Sequence, residues 1–227
     1  MSWLCAFWRS SIGGKLTMAV TGLLLFGFVV AHLLGNLQLL GGQEKLNAYA
    51  KMLHDLGPLL WVARIGLLLI FVLHIVTAIR LSRSNRSARP VQYAKSATLQ
   101  ASFASRSMLF SGLSLLGFVI YHLLHFTLGV VHVDEVAKKG ADGHDVYSMV
   151  VASFSKAPVA AAYIAFQVLL FFHLQHGLQS FAQTLGLHHA RYTPMIKSLA
   201  FLLALVVAGG NILVVLYPSL WLAKGAA

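Results

Sequence analysis

The sequence predicts an all-α fold: an integral membrane bundle of five transmembrane helices, with two short amphipathic helices on the extracytoplasmic side. Three observations predict it. The chain is 58% hydrophobic and only 10% charged, where a soluble domain carries about 25% charged residues. Its mean hydropathy is +0.77. Its apolar residues also gather into runs long enough to cross a bilayer, which takes about 20 residues at a rise of about 1.5 Å each. Five runs qualify: about 17–40, 58–81, 107–131, 158–185 and 195–221. They use most of the 227 residues, so the chain reads as one membrane domain, 1–227, with no room for a soluble catalytic domain. No G-x-G-x-x-G or phosphate-loop pattern is present.

The first run, 17–40, is too long for a cleaved signal and lacks a small-residue cleavage site. Charge orients it. The net charge of +11 would suit nucleic acid, but its distribution argues for a membrane instead. Arg9 and Lys15 precede the first run, and the connection 82–106 holds Arg83, Arg86, Arg89, Lys95 and Arg106 without any acid, just after Arg80. Arg191 and Lys197 follow the fourth run. By contrast, 41–57 balances Glu44 and Asp55 against Lys45 and Lys51, and 132–157 balances four acids, Asp134, Glu135, Asp142 and Asp145, against three lysines. Lysine and arginine mark the cytoplasmic side, so the N-terminus lies inside and the C-terminus outside.

The first and third runs repeat one another. Residues 21–36, TGLLLFGFVVAHLLGN, match 111–126, SGLSLLGFVIYHLLHF, at nine of sixteen positions, and His32 falls on His122. Repeats of this kind build two equivalent halves around a shared site. Each half continues with a short polar segment suited to an amphipathic surface helix. Each segment ends at a proline, Pro58 or Pro158, suited to the first turn of the next helix. The second and fourth runs then carry His74 and His173. The fifth has neither a partner nor a histidine and reads as a packing helix.

Depth pairs the four histidines. His32 and His122 each lie fifteen residues into an outward-running helix, roughly 22 Å from the inner face. His74 and His173 lie about 22–24 Å from the outer face on helices that run back. In a core about 30 Å thick, that makes an outer level and an inner level, offset by roughly 15 Å. An intramembrane ionisable group is a functional candidate by default. Two imidazoles at one height on two helices suit the two axial positions of one porphyrin iron, so the pattern predicts two haems, one held by His32 and His122 and one by His74 and His173. A single buried histidine also satisfies itself by bonding a neighbouring helix. The only cysteine, Cys5, cannot hold an iron–sulfur cluster, and no C-x-x-C-H is present, so the haem would be bound non-covalently.

Other residues group around these levels. His125 and His176 follow His122 and His173 by three residues and are alternative ligands or propionate partners. Arg64 is the only charge deep in a run, about 9 Å below the outer face, where it would pair with a propionate or reach lipid headgroups. Gly27 and Gly117 fall on the face opposite the histidines and read as helix-packing positions. Trp61, Tyr163, Tyr217 and Trp221 read as an interfacial belt. His188 and His189 read as solvated.

Four segments carry a family resemblance: F-V-V-A-H-L-L-G-N at 28–36, L-N-A-Y-A at 46–50, Y-H-L-L-H-F at 121–126 and F-H-L-Q-H-G-L-Q-S-F at 172–181. Through them the chain, from about residue 10 to 221, resembles the dihaem cytochrome b membrane-anchor subunit of bacterial succinate dehydrogenases and fumarate reductases, the five-helix single-anchor type. The resemblance implies a place in the bacterial cytoplasmic membrane, two haem b groups on the histidine pairs above, and two partners on the cytoplasmic face, a flavoprotein with FAD and an iron–sulfur subunit. It implies electron exchange with a quinone of menaquinone type at a site near the outer haem. His54, Asp55 and Glu44 are the candidates for that site, because quinone reduction needs a titratable group near water. Lipid phosphate also suits the basic connection 82–106. The haem pattern suits two other readings: a dihaem anchor of a hydrogenase, formate dehydrogenase or heterodisulfide-type reductase, and, without haem, a transporter built from repeats.

Overall fold

The computed structural model describes residues 6–7, 10–88, 102–139 and 145–222, without the side chains of Trp221 and Leu222. Cys5, Arg9, Arg89, Lys95, Asp142 and the Trp221 ring therefore lie outside the described residues. Among the described residues the chain is all helical, and five helices are long and apolar enough to cross a membrane.

Helix α1 spans Ser11–Asn36. Its start is set by Ser10, whose hydroxyl accepts from the Gly13 N–H at 2.9 Å, one of the donors a helix start leaves unpaired. A 3-10 turn, Leu37–Gly41, ends at Gly42, whose φ of 90° reverses the chain. The short helix α2, Gln43–Asp55, follows and turns Leu46 inward while Glu44, Lys45, Lys51, His54 and Asp55 face out. A turn at Gly57 leads into α3, Pro58–Ser87, which opens on its proline. This helix runs beyond the expected end near 81. No glycine or proline interrupts 82–87, and Pro90 comes only later.

The one-turn helix α4, Phe103–Arg106, precedes α5, Met108–His122. The third span is shorter than the expected 107–131. A π-helical turn, Leu123–Thr127, follows His122, and Gly129 then breaks the helix with a φ of 66°. The short α6, Val133–Val136, leads toward α7, Val146–Phe154, which is capped by Asp145. Helix α8 spans Ala157–Thr184 and has Pro158 in its first turn. Helix α9, Thr193–Tyr217, ends the described chain with a π-helical turn.

The helix contacts define a ring of four. Helix α1 packs on α3 and α8, and α5 packs on α8 and more loosely on α3. The pairs α1–α5 and α3–α8 thus stand diagonally, with no substantial helix contact among the described residues. Helix α9 lies outside the ring, along α8 and against α1. Its buried side chains there are small, Ala200, Ala204, Val207 and Ala208, as close approach of two helices requires.

Helices α2 and α7 cover the same end of the bundle and touch one another. Asp145 joins them: Gln43 Nε2 and Asn47 Nδ2 each donate to its carboxylate at 2.9 Å, and Asn47 Oδ1 accepts from the Tyr147 N–H at 3.0 Å. The main buried apolar cluster lies beneath them, with Leu39, Leu46, Phe154, Val159, Tyr163, Val214 and Tyr217.

Candidate functional site

The four histidines fall on the two diagonals. His32 on α1 and His122 on α5 reach toward each other, with ring centroids 5.9 Å apart and planes at 89°. A metal–imidazole bond of about 2.0–2.1 Å on each side of one ion would put the centroids roughly 6.4 Å apart. The observed separation is close to that. Each ring has a phenylalanine of its own helix beside it, Phe28 at 5.6 Å from His32 and Phe118 at 6.0 Å from His122. These two phenylalanines occupy equivalent positions of the repeat. His32 is the most open of the four histidines; the others are half-buried. His122 Nδ1 is buried and has no hydrogen-bond partner.

On the other diagonal stand His74 on α3 and His173 on α8, both half-buried. Each has a hydroxyl partner on the other helix of its own half. Thr21 Oγ1 lies 3.0 Å from His74 Nδ1, and Ser111 Oγ lies 3.2 Å from His173 Nδ1. The next residue in each case is a glycine over which the imidazole lies. A Cβ at Gly22 would be 3.3 Å from His74 Cε1, and one at Gly112 would be 3.5 Å from His173 Cε1. Thr21-Gly22 and Ser111-Gly112 are the same two positions of the repeat, so both halves build the same histidine seat. Sequence reasoning missed this seat, although both dipeptides open the aligned segments.

His125 is placed differently from His122. Its ring is fully buried in the π-helical turn. Nδ1 bonds the Tyr163 hydroxyl at 3.0 Å and Nε2 bonds the Ser153 hydroxyl at 3.1 Å. Both nitrogens are committed to protein partners, so a metal would have to displace one of them. His176 is half-buried one turn beyond His173.

Several other positions depart from the sequence reading. Gly27 and Gly117 are exposed, and a Cβ at either would meet nothing within 4 Å. They pack against no neighbouring helix, because the face opposite the histidines is the outside of the bundle. Tyr163 and Tyr217 are buried rather than part of an interfacial belt. Tyr163 turns inward to bond His125, and the Tyr217 hydroxyl lies 3.4 Å from that of Tyr147. Trp61 does face outward, and Arg64, also exposed, stands 5.2 Å over its ring, a cation–π arrangement. His188 and His189 are exposed.

The quinone-site candidates lie on α2. Glu44 and His54 are exposed, and Asp55 is held at 2.7 Å by Lys51, also in the open. The structure adds a second polar group at the same end of the bundle. Tyr121 bonds His132 Nε2 at 2.9 Å, and the buried Glu135 pairs with Lys156. The hydrogen bond from Lys156 holds the Glu135 carboxyl below its ordinary value. His132 is the one non-glycine residue with positive φ among those described, at 57°.

Among the described residues no three His, Cys, Asp or Glu side chains converge as a metal site would require. A porphyrin iron needs less from the protein, since the macrocycle supplies its equatorial nitrogens and only axial ligands remain. The facing imidazoles and the two glycine seats fit that demand. No protein-family model, curated protein or solved structure matches this chain. Fold and site together define an all-helical protein with five helices long and apolar enough to cross a membrane, four of which carry histidines across the diagonals of a ring.

Proposed function

We propose that this chain is a dihaem b membrane anchor that carries electrons between a soluble flavin and iron–sulfur succinate dehydrogenase or fumarate reductase and the menaquinone pool. The observation that carries the proposal is the approach of His32 and His122 across the diagonal, with ring planes at 89° and a separation suited to one metal ion. His32 and His122 would hold the outer haem, and His74 and His173 the inner one. Bound haem supplies the one-electron redox chemistry; the protein supplies alignment and electrostatics.

The chain sits in the bacterial cytoplasmic membrane with its N-terminus inside and α2 and α7 on the outer surface. The basic connection 82–106 then faces the cytoplasm, where the flavoprotein and the iron–sulfur subunit dock beside lipid headgroups. Arg64 would leave the Trp61 ring to meet a propionate of the outer haem. His125 shapes the outer site through Tyr163, and His176 borders the inner one. The quinone headgroup binds near α2, where His54, Asp55 and Glu44 exchange protons with the outer aqueous phase.

The test is a reduced-minus-oxidised spectrum of the purified chain with a haem count. Two b-type haems per chain are expected. A chain purified from haem-replete membranes without any b-type signal would overturn the reading.

A further inference from the structure

The two hydroxyls beside the inner histidines have a direction of bonding that can be worked out. A hydroxyl carries one proton. Thr21 donates its proton to the Thr17 carbonyl at 2.7 Å, and Ser111 donates to the Met108 carbonyl at 3.1 Å. Both bonds are made at once only if the imidazole is the donor, with each hydroxyl oxygen meeting it with a lone pair. We propose that Thr21 and Ser111 are the positioning residues of the inner haem: each accepts the Nδ1–H of its histidine, fixes that tautomer, and leaves the Nε2 lone pair of His74 or His173 for iron. The proposal rests on the dihaem reading above.

Three observations converge on it. The bond occurs twice, between residues 53 and 62 positions apart, at equivalent positions of the repeat. Both hydroxyls are buried, Thr21 at 4% and Ser111 at 2% exposure, so water does not compete for the ring nitrogen. The adjoining glycines let the ring lie against the helix that holds it. The outer level lacks the device, since His122 Nδ1 has no partner. A hydrogen bond between membrane helices contributes little to holding them together. Its consequence falls on the ligand instead: an imidazole whose second nitrogen donates to an acceptor is a more basic ligand with a fixed ring orientation. A more basic axial ligand favours ferric over ferrous iron, so losing the acceptor raises the midpoint potential of that haem.

The experiment is a potentiometric titration, with haem count, of the full membrane complex carrying Thr21→Val, Ser111→Ala or both. The inner haem is identified as the signal lost in His74→Ala. The expected result is an upward shift of the inner midpoint in each single variant, larger in the double, with the outer haem unmoved. Thr21→Ser and Ser111→Thr keep the hydroxyl and restore the wild-type midpoint. Loss of the inner haem alone in the valine and alanine variants, with full occupancy in the hydroxyl-retaining ones, also supports the proposal. Unchanged midpoints at full occupancy in both Thr21→Val and Ser111→Ala would overturn it. That failure differs from failure of the dihaem reading, in which the wild-type chain itself binds no haem.

Discussion

The imidazoles of His122 and His32 lie 5.9 Å apart between centroids with their planes at 89°, although their helices α5 and α1 are diagonal members of the ring. Side chains from non-adjacent helices meet only where both point along the diagonal. This relationship couples the two residues as a unit, so removing either should have the same consequence.

Alanine at His32 and alanine at His122 are each expected to remove the same one of two haems, and alanine at His74 or His173 to remove the other. Pyridine haemochrome assay with low-temperature spectra of each purified variant reads the outcome. A His32 variant and a His122 variant that lose different haems would break the pairing.

His125→Ala should leave both haems bound and lower the stability of the bundle. Both ring nitrogens of His125 are held by protein hydroxyls, so the substitution strands the buried Tyr163 and Ser153 groups. Each buried polar group left unpaired costs about 1–3 kcal/mol, which a thermal melt in detergent resolves. Ser153 retains its bond to the Met149 carbonyl at 2.8 Å, so the larger share of the loss falls on Tyr163.

The glycines of the repeat should divide into two kinds. Gly22→Val and Gly112→Val place branches where the His74 and His173 rings lie, and should displace the inner haem. Gly27→Val and Gly117→Val enter open space and should leave both spectra unchanged, with stability altered only by helix propensity, less than about 1 kcal/mol each. Haem occupancy across the four variants separates the two kinds.

This contrast marks where the sequence was legible. The five spans followed from run length, and the correspondence of His32 with His122 followed from the repeat. Gly27 and Gly117 read from the sequence as helix-packing positions, but both are exposed and a Cβ at either meets nothing within 4 Å, because no helix of the bundle covers them. Thr21 and Ser111 stayed hidden because a hydroxyl in an apolar run already satisfies itself on a carbonyl of its own helix. Nothing in the local pattern points to an imidazole more than fifty residues away. The end of the third span was hidden for a related reason: 123–131 is apolar enough to continue a helix, and the break comes from the π-helical turn and Gly129.

The Asp145 clasp should depend on pH. Partial burial disfavours the carboxylate, but hydrogen bonds from Ser148, Asn47 and Gln43 outweigh it and hold its pKa at about 2, against 3.8 for the free group. The folded pKa is depressed, so the clasp contributes its full stability above about pH 4 and loses it as the pH falls through about 2. The protection of the α2 amides against hydrogen exchange, taken relative to their intrinsic rates at each pH, should hold down to about pH 4 and fall below it. Asp145→Asn, which cannot accept the same set of bonds, should show fast exchange at neutral pH. Slow α2 exchange in that variant would show that α2 is held by Leu46 and its apolar contacts instead.

Substitutions on α2 test where protons enter. His54→Ala and Asp55→Asn are expected to slow quinone turnover severalfold while both haem spectra persist. Asp55 pairs with Lys51 in the open, where an ion pair contributes only about 0–1 kcal/mol, so a loss of turnover would not reflect unfolding. The measurement is quinone-dependent oxidation or reduction by the whole complex, alongside the haem count of the same preparation. Glu135→Gln provides the comparison at the other polar group of this end. If turnover falls in that variant and holds in both α2 variants, the proton-exchanging groups are those around His132 and Glu135, and the quinone headgroup belongs beside α6 rather than α2.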